Sequence, residues 1–233
     1  MATKIYFVRH GESLDNVAGV TFDEMNVSDD GFLDNPLSEL GERQAEAAAD
    51  WLFRHVRADA VVSSGLARTD MTAAPIAERF GVEVETLPEM REVHVEKGTL
   101  SNLKIENKMS RTLYDLPGGK EIRSAILDVG VAFLFNLWAA AGLPGFESPK
   151  KLRARARYCL ETLAARPERR IVAVAHNFFL GALLLELVDI LPANFFRVPK
   201  PLGLLPNCSV TCVLARPPRF RLRYAAQKTS DFS

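Results

Sequence analysis

The sequence has little that marks a secreted, membrane-bound or nucleic-acid-binding protein. Only three cysteines occur in 233 residues, and Cys159, Cys208 and Cys212 are too few and too scattered to predict a disulfide framework or a zinc site. Lysine plus arginine and aspartate plus glutamate both number 29, so no overall charge favours nucleic acid or an anionic membrane. No signal-peptide pattern is present, and a reducing cytoplasm is the expected compartment.

Long hydrophobic runs are also scarce, because only residues 125–143 approach the length and apolarity of a membrane-spanning helix. This stretch carries Asp128 and Asn136, and a charged side chain at the centre of such a helix costs on the order of 2.5–3.5 kcal/mol on insertion scales. A helix buried in protein is the better interpretation. The chain as a whole is 48% hydrophobic, which suffices for one sizeable core.

Short apolar runs alternate with amphipathic stretches along most of the chain. The predicted strands are residues 5–8, 60–62, 82–86, 171–175, 209–214 and 219–224. The predicted helices begin at Ser38, Leu66, Glu121, Ser148 and Asn177, and Pro75 predicts a kink or a break in the second of them. This order predicts an α/β three-layer sandwich with a mostly parallel central sheet, helices on both faces and a helical mid-chain insert over the carboxyl ends of the strands.

Four charged or titratable side chains follow the predicted strands directly. Arg9 and His10 end the first strand, Arg68 follows the second, and His176 ends the fourth. Functional groups of open α/β sheets lie beyond the carboxyl ends of the strands, and arginine forks match phosphate oxygens. One such histidine is more often a packing or capping residue. Two histidines with two arginines favour a phosphoryl site.

An acidic stretch, residues 21–35, follows the first motif. Most such runs are solvated surface, and that is the main prediction here. Its position next to His10 leaves the alternative that it flanks the site and disfavours highly anionic ligands.

Several motifs in this chain together resemble those of the histidine phosphatase superfamily, which includes the cofactor-dependent phosphoglycerate mutases and fructose-bisphosphatase-type enzymes. The match covers both ends of the chain and leaves its middle unmatched. The residues that carry the resemblance are Arg9-His10-Gly11-Glu12 with Asn16, Pro36-Leu37-Ser38 with Gly41 and Gln44-Ala45, Ser64 with Arg68 and Thr72-Ala73, and Val174-Ala175-His176.

The resemblance implies a role for each site residue. His10 would be the nucleophile that becomes phosphohistidine, and His176 would assist it while holding phosphoryl oxygens with Arg9 and Arg68. The substrate-binding residues would include Asn16 and Asn177. No metal and no cofactor would be needed, because the arginines supply positive charge.

An acidic residue after the third strand would protonate the leaving oxygen, and two glutamates qualify. Glu92 is preferred, because the sequence from Pro88 to Glu92 is closer to the phosphatase version of the motif, and Glu89 is the alternative. The aromatic-glycine continuation that is common in the family is absent after Glu92.

These patterns predict a single domain, residues 1–233, that hydrolyses a small phosphomonoester, with residues 97–147 as a lid or insert. A mutase is the runner-up, although the middle of the chain offers only Arg111 with Lys104 and Lys108 to grip a second anionic group. An inactive phosphate-binding or dimerisation module is the third interpretation. The apolar helix over residues 121–141 is expected to cover the site and select the substrate, or else to form a homodimer interface; no nucleic-acid or membrane partner is expected.

Overall fold

The computed structural model describes residues 2–14, 30–96, 99, 135–188 and 205–230, which form a six-stranded sheet between two layers of helices. The strands are β1 (Thr3–Arg9), β2 (Ala60–Ser63), β3 (Val84–Thr86), β4 (Arg170–Ala175), β5 (Val210–Arg216) and β6 (Arg219–Gln227). The helices are α1 (Glu39–His55), α2 (Ala67–Phe80), α3 (Pro149–Ala165) and α4 (Asn177–Val188), with a 3-10 turn at Pro88–Met90 and further helical residues at 135–141.

The strand order is β3-β2-β4-β1-β5-β6. The first four strands are mutually parallel, whereas β5 pairs antiparallel with β1 and β6 pairs antiparallel with β5. The predicted α/β sandwich with a mostly parallel sheet is therefore confirmed, and its last two strands form an antiparallel edge. The carboxyl ends of the inner strands β1, β2 and β4 point the same way and lie side by side, and β5 begins next to them.

Strand β1 lies at the centre of the core, and its side chains alternate between the two layers. Ile5 and Phe7 pack with residues of α3 and α4, while Tyr6 and Val8 pack with residues of α1 and α2. All four side chains are buried. Because both faces of β1 are covered, its sequence is an unbroken apolar run rather than an alternating one.

Two predicted helix starts are confirmed by capping hydrogen bonds. The Ser38 hydroxyl accepts from the N–H of Gly41 at 3.1 Å, and the Ser148 hydroxyl accepts from the N–H of Lys151 at 3.3 Å. Of the kink or break predicted at Pro75, the break is wrong, because α2 runs continuously past this residue. Proline removes one backbone donor, and burial of the neighbouring Ile76 on the sheet holds the helix in place.

Only the end of the mid-chain segment lies within the described residues. Phe135 and Trp138 are fully buried there, whereas Leu137 is 42% exposed, so the described end of this helix has one covered side and one exposed side. The predictions for residues 97, 98 and 100–134 lie outside the described residues. Within the part of the chain that the structure describes, no helix is long and apolar enough to cross a membrane.

Candidate active site

The register of the sheet brings His10 and His176 together. Arg9 pairs with Ala175 across the parallel strands β1 and β4, so the residues that follow them lie next to each other. The N–H of His10 donates to the carbonyl of Ala175 at 3.0 Å, and the two imidazole rings have centroids 5.2 Å apart. The predicted juxtaposition of two strand-end histidines is therefore what the structure shows.

A backbone hydrogen bond defines the tautomer of His10. Its Nδ1 lies 2.7 Å from the carbonyl oxygen of Gly11, and a carbonyl can only accept, so Nδ1 carries the hydrogen. The lone pair is then on Nε2, the nitrogen available for nucleophilic attack. Burial, followed by the charges of Arg68 and Arg9, holds the pKa of His10 well below its usual value. The free site therefore contains a neutral imidazole.

The first two motifs form one contact between the loop after β1 and the N-terminus of α1. A Cβ on Gly11 would lie 2.5 Å from the carbonyl oxygen of Gly41, and a Cβ on Gly41 would lie 1.9 Å from that of Glu12. The Ser38 hydroxyl donates to the Glu12 carboxylate at 2.7 Å, and the N–H of Glu12 donates to Gln44 at 2.8 Å. Only glycine fits at positions 11 and 41, and this close approach holds the His10 backbone in place.

The third motif places Arg68 and Thr72 on the side of α2 that faces the His10 loop. Arg68, in the first turn of α2, is 3% exposed and donates to the carbonyl of Leu33 at 2.5 Å. Its Nε has no hydrogen-bond partner among the described residues. Thr72, one turn later, accepts from the N–H of Gly11 at 3.0 Å. Arg68 thus enters the site while Thr72 ties the helix to the loop that carries His10.

Ser64 orients His176 through a hydrogen-bonded chain. The Thr69 hydroxyl donates to the carbonyl of Leu66 at 2.7 Å, so its oxygen accepts from Ser64 at 2.9 Å. Ser64 in turn accepts from His176 Nε2 at 2.8 Å. The remaining ring nitrogen, Nδ1, is buried and has no partner among the described residues. This nitrogen becomes a donor to an anion when His176 is protonated, and burial together with Arg68 lowers the pKa of His176 well below its usual value.

Arg9 is the second arginine of the site, beside Arg68, and part of its guanidinium group already donates a hydrogen bond within the protein. One of its terminal nitrogens donates to the carbonyl of Leu205, in the segment that enters β5. The same segment supplies Asn207, whose amide donates to the carbonyl of His10 at 2.9 Å. Asn207 was not identified from the sequence, because it stands in a proline-rich connection without a motif.

The Glu92 carboxylate lies at the N-terminus of α4, the helix that follows His176. Its Oε1 accepts from the N–H groups of Val93 at 2.9 Å and Phe179 at 3.1 Å, and its Oε2 accepts from that of Phe178 at 3.2 Å. Burial, the largest effect, raises the pKa of Glu92 above its usual value, while the three N–H groups and Arg68 act in the opposite direction. A carboxyl group with a raised pKa can hold a proton for donation.

Glu89, the alternative acid, lies elsewhere. It belongs to the 3-10 turn before Glu92 and is close enough to Cys159 of α3 to contribute to the raised pKa of that thiol. The structure thus brings Glu92 to the helix terminus that follows His176 and leaves Glu89 near α3. That Glu92 acts as the acid stays a prediction.

The two predicted asparagines have different outcomes. Asn16 lies outside the described residues. Asn177 was predicted to cap α4, but it is the first helical residue, and its Oδ1 accepts from the N–H of Leu205 at 3.2 Å. The cap is wrong because the carbonyl of His176 accepts from the N–H of Leu180 at 2.9 Å, which places His176 at the N-cap position. Its role in substrate binding stays a prediction.

The end of the acidic stretch flanks the site. The carbonyl of Leu33 accepts from Arg68, and the Asp34 carboxylate accepts from the N–H of Ala67 at 2.6 Å. Asp30 forms an ion pair with Arg91, the neighbour of Glu92. Residues 30–34 therefore contact the residues of the site instead of forming a freely solvated loop, and an effect on highly anionic ligands stays a prediction.

Histidines and arginines gathered at the carboxyl ends of parallel strands form a site suited to a phosphoryl group. The sequence profile of the histidine phosphatase superfamily (branch 1) matches residues 5–113 and 121–227, and the chain belongs to this superfamily. A relative from Yersinia pestis (strain Pestoides F), named "Probable phosphoglycerate mutase GpmB", is 31% identical over 211 residues, which is 90% of this chain and 84% of the relative.

Solved structures with the same fold include phosphatases. The mycobacterial glucosyl-3-phosphoglycerate phosphatase in complex with VO3 is 26% identical, with a TM-score of 0.66 over 97% of this chain and 99% of that chain. A variant of phosphoserine phosphatase from Entamoeba histolytica, in complex with phosphoserine, is 20% identical, with a TM-score of 0.66 over 97% of this chain and 98% of that chain. The latter likeness concerns the fold alone.

Proposed function

We propose that this protein is a metal-independent phosphatase that hydrolyses a small phosphomonoester through a phosphohistidine at His10. The observation that carries the proposal is the tautomer of His10, whose Nδ1–H is donated to Gly11 while Nε2 keeps its lone pair beside Arg9, Arg68 and His176. A neutral imidazole is a competent nucleophile. The arginines would stabilise negative charge on the transferring group.

Two steps follow from this arrangement. His10 Nε2 attacks phosphorus, the bond to the leaving oxygen breaks, and Glu92 supplies the proton that this oxygen needs. Water then attacks the phosphohistidine, the Glu92 carboxylate takes the proton of that water, and His10 leaves as a neutral imidazole. Inorganic phosphate is the second product, and both side chains return to their starting states.

The experiment is rapid quench with a 32P-labelled phosphomonoester. The wild-type protein should accumulate an acid-labile, base-stable phosphoprotein. His10→Ala should show none and should lose at least about 10⁴-fold in kcat, as expected when a nucleophile is removed. A correctly folded His10→Ala variant that keeps substantial activity would disprove the mechanism.

A mutase is the second candidate, because the Yersinia pestis relative carries that name. Release of inorganic phosphate distinguishes a hydrolase from a mutase, which would convert 3-phosphoglycerate to its isomer instead. The names of two similar proteins, a mutase and a phosphatase, both refer to a phosphoglycerate. The substrate panel should therefore include 3-phosphoglycerate and glucosyl-3-phosphoglycerate beside simple alkyl phosphates.

Residues 97–143 are proposed to cover the site and select the substrate. Trp138 and Phe135 pack edge-on or tilted against Phe178 and each other, with ring centroids 5.1–5.6 Å apart, and the N–H of Phe178 donates to Glu92. The end of the segment is thereby packed beside the proposed acid. The alternative is that the segment forms a homodimer interface.

The three buried, free cysteines fit the proposed cytoplasmic location.

A further inference from the structure

Arg155 lies on α3, outside the group of residues at the strand ends, and binds the chain segment that carries Glu92. Its Nη1 donates to the carbonyls of Glu89 at 2.7 Å and Arg91 at 2.6 Å, and its Nη2 donates to that of Glu92 at 3.0 Å. The Arg155 side chain is only 18% exposed. One guanidinium group thus holds three carbonyls within four consecutive residues.

Glu147 fixes the other side of this guanidinium. Its two carboxylate oxygens accept from Arg155 Nη2 at 2.7 Å and from Nε at 3.2 Å, and the Glu147 side chain is 4% exposed. The backbone of Glu147 also pairs with His94, since its N–H donates to the carbonyl of His94 at 2.8 Å. Glu147 therefore orients Arg155 and at the same time anchors the chain two residues after Glu92.

Arg155 also reaches the residue that binds the Glu92 carboxylate. Its guanidinium carbon lies 5.8 Å from the ring centroid of Phe179, within the range of a cation–π contact. The N–H of Phe179 donates to Glu92 Oε1. The backbone of Glu92 and a donor to its carboxylate are thus both in contact with the same side chain.

We propose that Arg155 is a positioning residue that sets the location of the Glu92 carboxyl group for protonation of the leaving oxygen. Replacing a buried ion pair by apolar residues is often neutral or even stabilising, so stability alone does not account for an arginine here. The geometry accounts for it, because the strand pairing that the structure describes after the 3-10 turn is an isolated bridge between Val95 and Phe146, three residues beyond Glu92. The inference rests on the proposed function.

The test compares two substrates that differ in their need for an acid. Alkyl phosphates need a proton on the leaving oxygen, whereas p-nitrophenyl phosphate needs little. Arg155→Met should lower kcat/KM for an alkyl phosphate by about 10–100-fold, the size of effect expected from a misplaced catalytic group, and for p-nitrophenyl phosphate by less than about threefold. In a Glu92→Gln background the same change should have almost no further effect on the alkyl phosphate.

Arg153→Met is the matched control. Arg153 is on the same helix and also pairs with a glutamate, Glu186, at 3.1 Å, but it holds none of the carbonyls of residues 89–92 among its described contacts. The control should leave the ratio of the two substrates unchanged. Should Arg155→Met fail to fold by circular dichroism, Arg155→Lys serves instead, because a lysine keeps the charge but lacks the fork, and the same substrate ratio is expected to shift.

Equal losses on both substrates, or losses that add fully to those of Glu92→Gln, would overturn the positioning role. Failure of the proposed function is a separate result, because it would show in the protein with Arg155 intact. In that case no phosphoprotein is trapped, or Glu92→Gln itself lacks the leaving-group dependence.

Discussion

The two halves of the site are built in different ways. The phosphoryl half consists of Arg9, His10, Arg68 and His176. Its two histidines follow paired parallel strands, so the register of β1 and β4 alone sets their separation. The acid half consists of Glu92 with Arg155, Glu147, Phe178 and Phe179. It stands on a segment that belongs to no named strand, so side chains of α3 and N–H groups of α4 must hold it.

The electrostatics of the two halves have a common origin. Burial is the largest cause of both shifts, lowering the pKa values of His10 and His176 and raising that of Glu92. Burial disfavours the charged form of any group, so it favours a neutral base in one half and a neutral acid in the other. For His10 and Glu92, these are the protonation states that the first step of the proposed reaction needs. The two halves therefore share the cause of their pKa shifts and differ in the contacts that hold their side chains in position.

The largest effect in the acid half is expected from Glu92 itself. Glu92→Gln should lower kcat/KM for alkyl phosphates by about 10²–10⁴-fold, the usual worth of general acid catalysis, and far less for p-nitrophenyl phosphate. Steady-state kinetics on both substrates measures this ratio. Glu89→Gln is the control, because Glu89 lies on the α3 side of the turn. If Glu89→Gln rather than Glu92→Gln showed the leaving-group dependence, Glu89 would be the acid, and the assignment of Glu92 to the acid half would be wrong.

The same contrast explains what could be predicted from the sequence. The strand-end residues His10 and His176 could be found because a buried strand ends at each, and parallel strands end at the same edge. Ser64 and Thr72 belong to the sequence motifs, but their roles could not be predicted, because these roles depend on hydrogen bonds to His176 and Gly11 that only the structure shows.

Other features had no local signal. Arg155 lies between Arg153 and Arg157 in an alternating Arg-Ala-Arg-Ala-Arg sequence, and nothing in that repeat shows which arginine points inward. Asn177 is of a residue type that often caps helices, but His176 occupies the N-cap position, and Asn177 contacts the N–H of Leu205, which is distant in sequence. Both features depend on tertiary contacts between segments that are far apart in the chain.

Trp138 tests whether the mid-chain segment belongs to the acid half. It is fully buried, its ring packs on Phe178, and its Nε1 donates to the carbonyl of Glu147 at 2.7 Å. Trp138→Phe should keep much of the packing and lose this hydrogen bond. The ranking of substrates by kcat/KM should then change by about tenfold, within the range that one pocket contact contributes.

The control is Trp51→Phe, because Trp51 is the other tryptophan and lies on α1, stacked on His55. It should leave the ranking unchanged. Sedimentation separates a lid from an interface: a changed ranking in an unchanged oligomer supports the lid. A uniform loss of activity with a shift to monomer would contradict it and favour the dimer.

The smallest expected effect is on the free energy of unfolding as the pH is lowered. The histidines of the phosphoryl half and Glu92 of the acid half should change this free energy in opposite directions. The folded-state pKa values of the two histidines are lowered, so the unfolded chain binds more protons below pH about 6.5. The free energy of unfolding should then fall on acidification, by up to ~1.4 kcal/mol per pH unit for each histidine. The folded-state pKa of Glu92 is raised, so the folded protein binds the extra proton above pH about 4.5, and Glu92 opposes this fall.

Urea denaturation between pH 7 and pH 5 measures both contributions. His176→Asn should make the free energy of unfolding depend less on pH than in the wild type, because one group that takes up a proton on unfolding is gone. Glu92→Gln should make the loss on acidification steeper, because the opposing group is gone. If Glu92→Gln instead made the loss shallower, the folded-state pKa of Glu92 would lie below its usual value, and Glu92 would not hold the proton that the acid half is proposed to supply.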